Sequence, residues 1–372
     1  MATSKDYRLG DFTFPRGWFM IATSEEVNSH KPLALRFFGR DFALYRGQET
    51  GRIVLLDAHC PHMKTHLAAR NDTSYVVQDG HGTNIEGDNI RCPYHAWRFG
   101  PDGQCNEIPY HEGPIPKTAC IKSWPVVESL GAIWVWHDPE GGEPEWEHPS
   151  LAEWDRPDWV KWRFDDLGTL GQHPQEVIDN ICDYSHLGPI HGSTVKRYEN
   201  EFRGHLAIQR QAGPHRTLVR PDGGSPELDT ITTYHGPGVL ISYLTGYFDT
   251  VLMINHTPVE DGSIRVWHAL LVKSPGGNAE ANTQDVIAAR QFQEASLNSF
   301  KQDFEVWTHK APCIHGLFTP SDGPFMKGRT WYKQFYNPRE QAEQYTRQCA
   351  GTYVPNGVAP YTPEPHDAPI PG

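Results

Sequence analysis

Along residues 1–140, apolar and β-branched positions alternate with polar ones in short runs punctuated by Gly, Asp and Pro, the two-residue period of strands that bury one face. Gly17–Thr23, Leu33–Tyr45, Arg52–Asp57 and Val126–His137 carry this pattern and predict an all-β N-terminal domain. The stretch from Asp138 to Pro149, rich in Pro, Gly and acid, breaks the pattern and reads as a linker between domains 1–145 and 146–372. Alternation resumes at Leu206–Arg210, Thr217–Arg220, Thr230–Tyr234, Val239–Tyr243, Val251–Pro258 and Ser263–Val272. A helical period then runs from Asp285 to about His309, opened by Asn282 and Thr283 as capping residues. An antiparallel sheet crossed by a long C-terminal helix makes the chain α+β. The polar tail after Asn337 ends in a Pro-rich segment and is expected to order only by docking or not at all.

Composition narrows the functional classes. A chain of 372 residues is long for one core, which agrees with two domains. A net charge of −13, with no basic stretch, argues against a nucleic-acid partner. The N-terminus lacks the apolar run of a secretory signal, and runs such as Ala132–Trp136 fall far short of the roughly 20 residues that span a bilayer. A soluble cytoplasmic protein without a membrane anchor is therefore expected. Of the seven cysteines, Cys105, Cys120, Cys182, Cys313 and Cys349 show no framework spacing, as for free thiols in a reducing compartment. Gly80–Gly87 lacks the spacing of a dinucleotide fingerprint.

Two segments concentrate the chemistry. Cys60-Pro-His62 and Cys92-Pro-Tyr-His95 each offer one thiolate and one imidazole on a tight turn. A Rieske [2Fe-2S] cluster takes two Cys on one iron and two His on the other, and the mixed halves suit it better than the C-x-x-C and H-x-x-x-H pairing of a structural zinc site, the alternative for a Cys2His2 set. Asp102-Gly103 reads as a hairpin turn behind the second half. Trp97 and Tyr94 are candidates to shield the cluster or to serve as ordinary packing, and His59, His66 and His81 read as loop residues.

In the second segment, residues 173–191, Asp179, Asp183 and His186 recur at steps of four and three, one face of a helix, with Gly188-Pro189 bending the chain so that His191 swings back toward His186. Two imidazoles and one carboxylate form the facial triad of non-haem Fe(II) oxygenases. Asp303 is the candidate third ligand. It shares the apolar stripe of the long helix with Ser296, Phe300 and Trp307, near a C-terminus where the helix dipole disfavours an anion. A solvated or Lys-paired surface acid is its alternative, and Glu294 and Glu305 point elsewhere. Asp183 could orient an imidazole from behind, Asp179 and Glu176 could be helix-surface acids, and Asn255 could contact oxygen or substrate or be a plain strand residue. Tyr243, Tyr247, Phe248, Val251, Met253, Trp267, Phe300 and Phe318 could line an apolar pocket or fill the core.

With both segments in view the chain resembles, over nearly its whole length, the oxygenase components of Rieske non-haem iron oxygenases. Cys92-Pro-Tyr-His-Ala-Trp-Arg-Phe, Ile108-Pro-Tyr110, Trp134-Val-Trp-His-Asp138, Gly323-Pro-Phe-Met-Lys327 and Lys333-Gln-Phe-Tyr336 are similar to the 3-ketosteroid 9α-hydroxylase oxygenases and their sterol-desaturase relatives. The resemblance implies a Rieske domain followed by a helix-grip, START-like catalytic domain. Cys60, His62, Cys92 and His95 would then hold the cluster, and His186, His191 and Asp303 the mononuclear Fe(II). Asp183 would join a cluster His of one subunit to an iron ligand of its neighbour in a homotrimer. It further implies a separate flavin/iron–sulfur reductase, with or without a ferredoxin, and O2-dependent hydroxylation of a small apolar substrate, most simply a steroid. Desaturation, oxidative demethylation and arene dihydroxylation are the alternatives within the family, and a Rieske electron carrier without catalytic iron is the alternative outside it. Two departures stand out: an insertion around Asn71–Asn89, and Ala96 where many relatives carry Gly.

Overall fold

The computed structural model describes residues 1–70, 73–215 and 227–362. The chain forms two compact units, one of Phe19–His137 with Gly141–Glu145 and one of Met1–Trp18, Asp138–Glu140 and Trp146–Gly372.

The first unit contains β1 (Gly17–Thr23), β2 (Leu33–Phe37), β3 (Arg40–Arg46), β4 (Ile53–Asp57), α1 (Ser74–Gln78), β5 (Ile85–Glu86), β6 (Asn89–Arg91), β7 (Arg98–Phe99), β8 (Cys105–Glu107), β9 (Val126–Ser129) and β10 (Ala132–His137). Three small sheets run β1-β10-β9, β2-β3-β4 and β5-β6-β7-β8. Two expected single strands are in fact hairpins. Leu33–Tyr45 reverses at Phe38 (φ 53) and Gly39 (φ 64), and Val126–His137 at Leu130 (φ 54) and Gly131 (φ 77). Two successive positive φ values make the tight turn that matches strand twist, and Asn-Gly is its usual signature. Phe-Gly and Leu-Gly carry no such signature, so the reversals were hidden in the sequence.

The second unit contains β11 (Trp159–Val160), β12 (Asp165–Leu170), α2 (Pro174–Cys182), β13 (Arg197–Arg203), β14 (Leu206–Pro214), β15 (Glu227–His235), β16 (Val239–Thr245), β17 (Thr250–Glu260), β18 (Ser263–Lys273), α3 (Thr283–Thr308), α4 (Phe325–Lys333), α5 (Arg339–Cys349) and β19 (Gly351–Tyr353). Its antiparallel sheet runs β11-β18-β17-β16-β15-β14-β13-β19, with β12 also on β18. The expected strand Thr217–Arg220 lies outside the described residues. The Asn282 side chain accepts from the N–H groups of Gln284 and Asp285, and the Asp285 carboxylate returns the bond to Asn282, which starts α3 where the sequence predicts. Ala289, Phe292, Phe300 and Trp307 then lay α3 against Val160, Leu252, Ile254, Val266 and Leu270 of the sheet.

Two expectations about the ends need correction. The described part of the tail after Asn337 folds: α5 buries Cys349, and β19 adds to β13 with Tyr353 opposite Asn200, whereas the Pro-rich end lies outside the described residues. Residues 1–18 belong to the second unit, not to the domain ending at 145. The Ser4 N–H donates to Asp261 Oδ1 at 2.8 Å, the Phe12 N–H to the Tyr336 carbonyl at 2.9 Å, and Asn337 Nδ2 to the Leu9 carbonyl at 2.9 Å. These are main-chain and amide contacts, invisible to hydrophobic periodicity.

The second unit holds five neutral imidazoles, His173 and His256 buried and His148, His205 and His235 half-buried. Burial lowers His148, His173 and His256 to about 3, and His205 and His235 to about 4. In the unfolded chain each titrates near 6.5. Stability is therefore fully present above about pH 6.5 and is lost as pH falls toward the folded values, with unfolding taking up about five protons near pH 5. The urea midpoint of this unit should fall steeply between pH 6.5 and 4.5; a midpoint independent of pH over that interval would contradict the burial of these rings.

Candidate functional site

The two Cys/His loops share one backbone design. The Cys60 N–H donates to the Thr65 carbonyl at 3.0 Å and the Lys64 N–H to the Cys60 carbonyl at 2.9 Å; the Cys92 N–H donates to the Trp97 carbonyl at 2.8 Å and the Ala96 N–H to the Cys92 carbonyl at 3.0 Å. Lys64 and Ala96, each four residues after its Cys, both stand at φ 58. This explains why glycine suits the Ala96 position, since an L side chain in the left-handed region costs about 1 kcal/mol. Both sulfurs are buried and each meets two N–H groups of its own loop, those of His62 and Met63 at Cys60 and of Tyr94 and His95 at Cys92. A hydrogen bond from Cys60 holds Cys92 below the ordinary thiol range against the opposing effect of burial, and Cys60 is pushed up in return. Thiolates bind iron, so a pair that releases its first proton readily is prepared for it.

The imidazoles lie on the outer side. His62 is exposed, and its ring centroid is 4.6 Å from that of His95. Trp97 stacks on His62 at 4.7 Å with the planes 3° apart and donates to the Tyr110 hydroxyl at 2.7 Å. Tyr94 leans on His95 at 3.8 Å. Among the described residues, the one group of three or more Cys, His, Asp or Glu side chains whose ligand atoms all lie within 4.8 Å is elsewhere in the chain. A single tetrahedral zinc needs four converging atoms, so a buried thiol pair with a separate imidazole pair fits a two-iron cluster instead. The insertion folds as α1 and the β5–β6 hairpin, and buried Asn84 donates through Nδ2 to the Leu67 carbonyl at 2.8 Å and the Arg91 carbonyl at 2.7 Å, tying the exit of one loop to the entry of the other.

The convergent group is His186, His191 and Asp303. The route to it differs from the one expected. α2 ends at Cys182, and Asp183 is already extended (φ −88, ψ 96), so Asp179, Asp183 and His186 do not share a helix face and the bend precedes Gly188-Pro189. The cause is competition for the Ile181 carbonyl, which accepts from Tyr198 Oη at 3.1 Å, Asn200 Nδ2 at 2.8 Å and Gln209 Nε2 at 3.0 Å. Continuing the helix would need Ser185 N–H at that oxygen; it bonds Asp183 Oδ1 at 3.0 Å instead. Glycine is required beside this end: a Cβ on Gly323 (φ 131) would meet the Cys182 carbonyl at 1.8 Å, and one on Gly328 the Cys182 sulfur at 2.4 Å.

Each imidazole has one nitrogen engaged by the protein. His186 Nδ1 is 2.7 Å from the Asp183 carbonyl oxygen, and His191 Nδ1 is 3.5 Å from Ser299 Oγ. With Nδ1–H donating, Nε2 presents a lone pair. His191 Nε2 stands 3.4 Å from Asp303 Oδ2, and in the tautomer with Nδ1–H donating to Ser299 the two atoms meet as acceptors, which a cation between them would satisfy. The donor set fits a ferrous ion with open positions. The Asp183 carboxylate does not hold His186 as closely as expected: Oδ2 is 3.7 Å from Nδ1, while Oδ1 accepts from Ser185 N, Ser185 Oγ and His186 N. Burial opposes ionisation of Asp183, but the nearby His186 imidazole first, and then the Ser185 hydroxyl and the His186 N–H, prevail, and its carboxyl lies below the ordinary value.

Other expected residues go elsewhere. Asp179 is buried in a two-point ion pair with Arg329, and Glu176 is buried against Tyr7 Oη, Lys310 Nζ and the Cys313 N–H, so both are internal anchors of α2 and not surface acids. Glu294 and Glu305 are exposed. Asn255 lies on β17 with Val251 and Met253, whereas Thr250, Leu252 and Ile254 face the cavity. The cavity holds about 390 Å³ and takes in all three convergent residues together with Leu240, Leu252, Ile254, Leu270, Phe292 and Phe300. Of the eight aromatic and apolar candidates, Tyr247, Phe248 and Phe300 line it; Tyr243, Val251, Met253, Trp267 and Phe318 do not. Sequence reasoning missed Ser299 and the clamp of Tyr198, Asn200 and Gln209. Ser299 had a signal, standing four residues before Asp303 on one helix face.

Comparison with known proteins finds relatives along most of the chain. A Rieske [2Fe-2S] domain matches residues 17–125, and a 3-ketosteroid 9alpha-hydroxylase C-terminal domain matches residues 135–336. The oxygenase component of 3-ketosteroid-9-alpha-monooxygenase from Rhodococcus rhodochrous is 31% identical over 348 residues, covering 90% of this chain and 87% of the relative. Cholesterol 7-desaturase of Caenorhabditis elegans is 27% identical over 365 residues, covering 88% of this chain and 79% of the relative. The solved structure of Pseudomonas putida CBB5 NdmA with caffeine shares the fold at a TM-score of 0.68 and 16% identity, covering 98% of this chain and 99% of that one.

Asp303→Ala should cost about one iron per chain, measured by metal analysis, and leave the visible absorption of the cluster intact. Undiminished iron content in that variant would remove Asp303 from the ligand set.

Proposed function

Because the chain belongs to the 3-ketosteroid 9α-hydroxylase branch of the Rieske non-haem iron oxygenases, we propose that it is the terminal oxygenase of a multi-component system that hydroxylates a steroid or a comparably bulky apolar molecule. As a Rieske non-haem iron oxygenase component it carries a [2Fe-2S] cluster and a mononuclear iron. Cys60, His62, Cys92 and His95 would hold the first, and His186, His191 and Asp303 the second. The mononuclear iron, when bound, supplies O2 activation for attack on an unactivated C–H bond.

The observation that carries the reading is the cavity itself, about 390 Å³ of largely aliphatic and aromatic wall that includes the three iron-site residues. Pockets for small molecules fall at roughly 300–1,000 Å³ and hold their ligands chiefly by apolar contact. Leu240, Leu252, Ile254 and Leu270 make one side of it apolar and Phe292 and Phe300 of α3 line the opposite side, which suits a reaction that water would divert. His186 is fixed by the Asp183 carbonyl and His191 by Ser299, so neither ring has to reorient when substrate arrives.

Electrons come from a separate reductase, in keeping with relatives that are named oxygenase components. We assign Asp183 the relay to the cluster of a neighbouring subunit in a homotrimer. Its Oδ1 is committed within its own chain, and its side chain keeps 29% exposure, so Oδ2 is left for a partner's imidazole. Among the described residues no helix is long and apolar enough to cross a membrane. Desaturation is the second reading, favoured by the nematode relative named cholesterol 7-desaturase.

Oxygen uptake with a reductase should be stimulated by steroids more than by bile acids or simple arenes, and mass spectrometry should find a product heavier by one oxygen. A product lighter by two hydrogens would favour desaturation, and stimulation by arenes alone would overturn the steroid assignment. Asp183→Asn should keep both iron centres and slow substrate-dependent reoxidation of the reduced cluster by roughly tenfold to a hundredfold; an unchanged single-turnover rate would remove its relay role.

A further inference from the structure

The cavity wall is not uniformly apolar, and its polar side chains are not equally occupied. Gln209 and Thr232 face each other across β14 and β15, and both are spoken for: Gln209 Nε2 donates to the Ile181 carbonyl, and Thr232 Oγ1 bonds Ser242 Oγ at 2.7 Å. One pocket-facing step along the same two strands, about 7 Å away, Gln211 stands opposite Thr230. Here Gln211 Oε1 and Thr230 Oγ1 are both buried side-chain oxygens with no hydrogen-bond partner among the described residues, and Thr230 is only 5% exposed.

Buried polar atoms are normally satisfied, so two neighbouring oxygens left over on the wall of a ligand cavity point to a group brought by the ligand. The two atoms ask for different things. An amide carbonyl oxygen only accepts, whereas a threonine hydroxyl can also donate. A ligand hydroxyl answers both at once, donating to Gln211 Oε1 and accepting from Thr230 Oγ1. A ketone can answer only the threonine. A carboxylate would set its own lone pairs against Gln211 Oε1 and bring an uncompensated charge into an apolar chamber.

We propose that Gln211 and Thr230 form a specificity-determining pair that reads a single hydroxyl group on an otherwise apolar polycyclic substrate. The proposal deepens the preceding reading and rests on it in taking this cavity as the substrate chamber. Ligands that lack the hydroxyl leave two buried oxygens unpaired, the situation in which polar sites discriminate most strongly.

The test is binding to the intact oxygenase of androstane and its two monohydroxylated derivatives, one at each end of the ring system, alongside naphthalene and naphthol. The wild-type protein should prefer the hydroxylated member by about tenfold in dissociation constant, and Thr230→Val and Gln211→Leu should each erase most of that preference, with the hydrocarbon bound at least as tightly as by the wild-type protein. Preference in the naphthol pair with no steroid bound at all would uphold the polar pair and remove the steroid assignment. Equal affinity within every pair in the wild-type protein, or a preference that survives both substitutions, would overturn the proposal. Two variants of near-native volume on neighbouring strands guard against one that fails to fold, and intact cluster absorption checks that it has not.

Discussion

Three side chains of the sheet compete with helix α2 for one carbonyl oxygen, and the rest of the iron site depends on the outcome. Tyr198, Asn200 and Gln209 all donate to the Ile181 oxygen, so the helix cannot take its next turn and the chain leaves it at Asp183. Each bond contributes about 1 kcal/mol net, yet together they redirect the segment that carries His186 and His191. The close crossing of residues 323–328, which only glycine permits at two points, seals the same helix end from the other side. From there the Asp183 carbonyl fixes one imidazole, Ser299 fixes the other, and Asp303 arrives from α3. A site built this way is set by backbone termination and needs no long helical scaffold.

The cluster loops follow a parallel logic. Each Cys is held by a bond to the residue five ahead and each loop turns through a left-handed residue four ahead, so two short sequences of different length produce matching cradles. N–H groups aimed at the sulfurs stabilise thiolates, while His62 on the outer side is exposed. Hydrogen bonds to sulfur and exposure are the means by which a protein sets the potential of such a centre.

The convergence of His186 and His191 was legible because metal chemistry restricts residue type and spacing. Asp303 was legible because an acid on the apolar stripe of a helix requires an explanation, and Ser299 lay within reach of the same reasoning. The path into His186 was not legible, since helical spacing from Asp179 to His186 is consistent with a continued helix and nothing local announces that Tyr198, Asn200 and Gln209 will claim Ile181. The cavity wall was misjudged for a simpler reason: large residues were favoured over strand parity, and Val251, Met253, Asn255 and Trp267 fall on positions that do not line the cavity. Phe38-Gly39 and Leu130-Gly131 show the same limit on the fold side, as turns whose geometry is strict but whose residues are unusual for it. The insertion, read only as a departure, turns out to contain Asn84, which joins the two cradles.

One chain should hold a two-iron cluster in its N-terminal unit and a single iron between His186, His191 and Asp303. Anomalous diffraction from crystals of the aerobically purified protein, measured on both sides of the iron absorption edge, tests it most directly. The account predicts an edge-dependent peak elongated over two atoms between the Cys60/Cys92 and His62/His95 pairs, and a separate single peak in contact with His186, His191 and Asp303. A single compact peak at the Cys/His loops with a zinc edge, or iron density in the catalytic unit coordinated by other side chains, would contradict it.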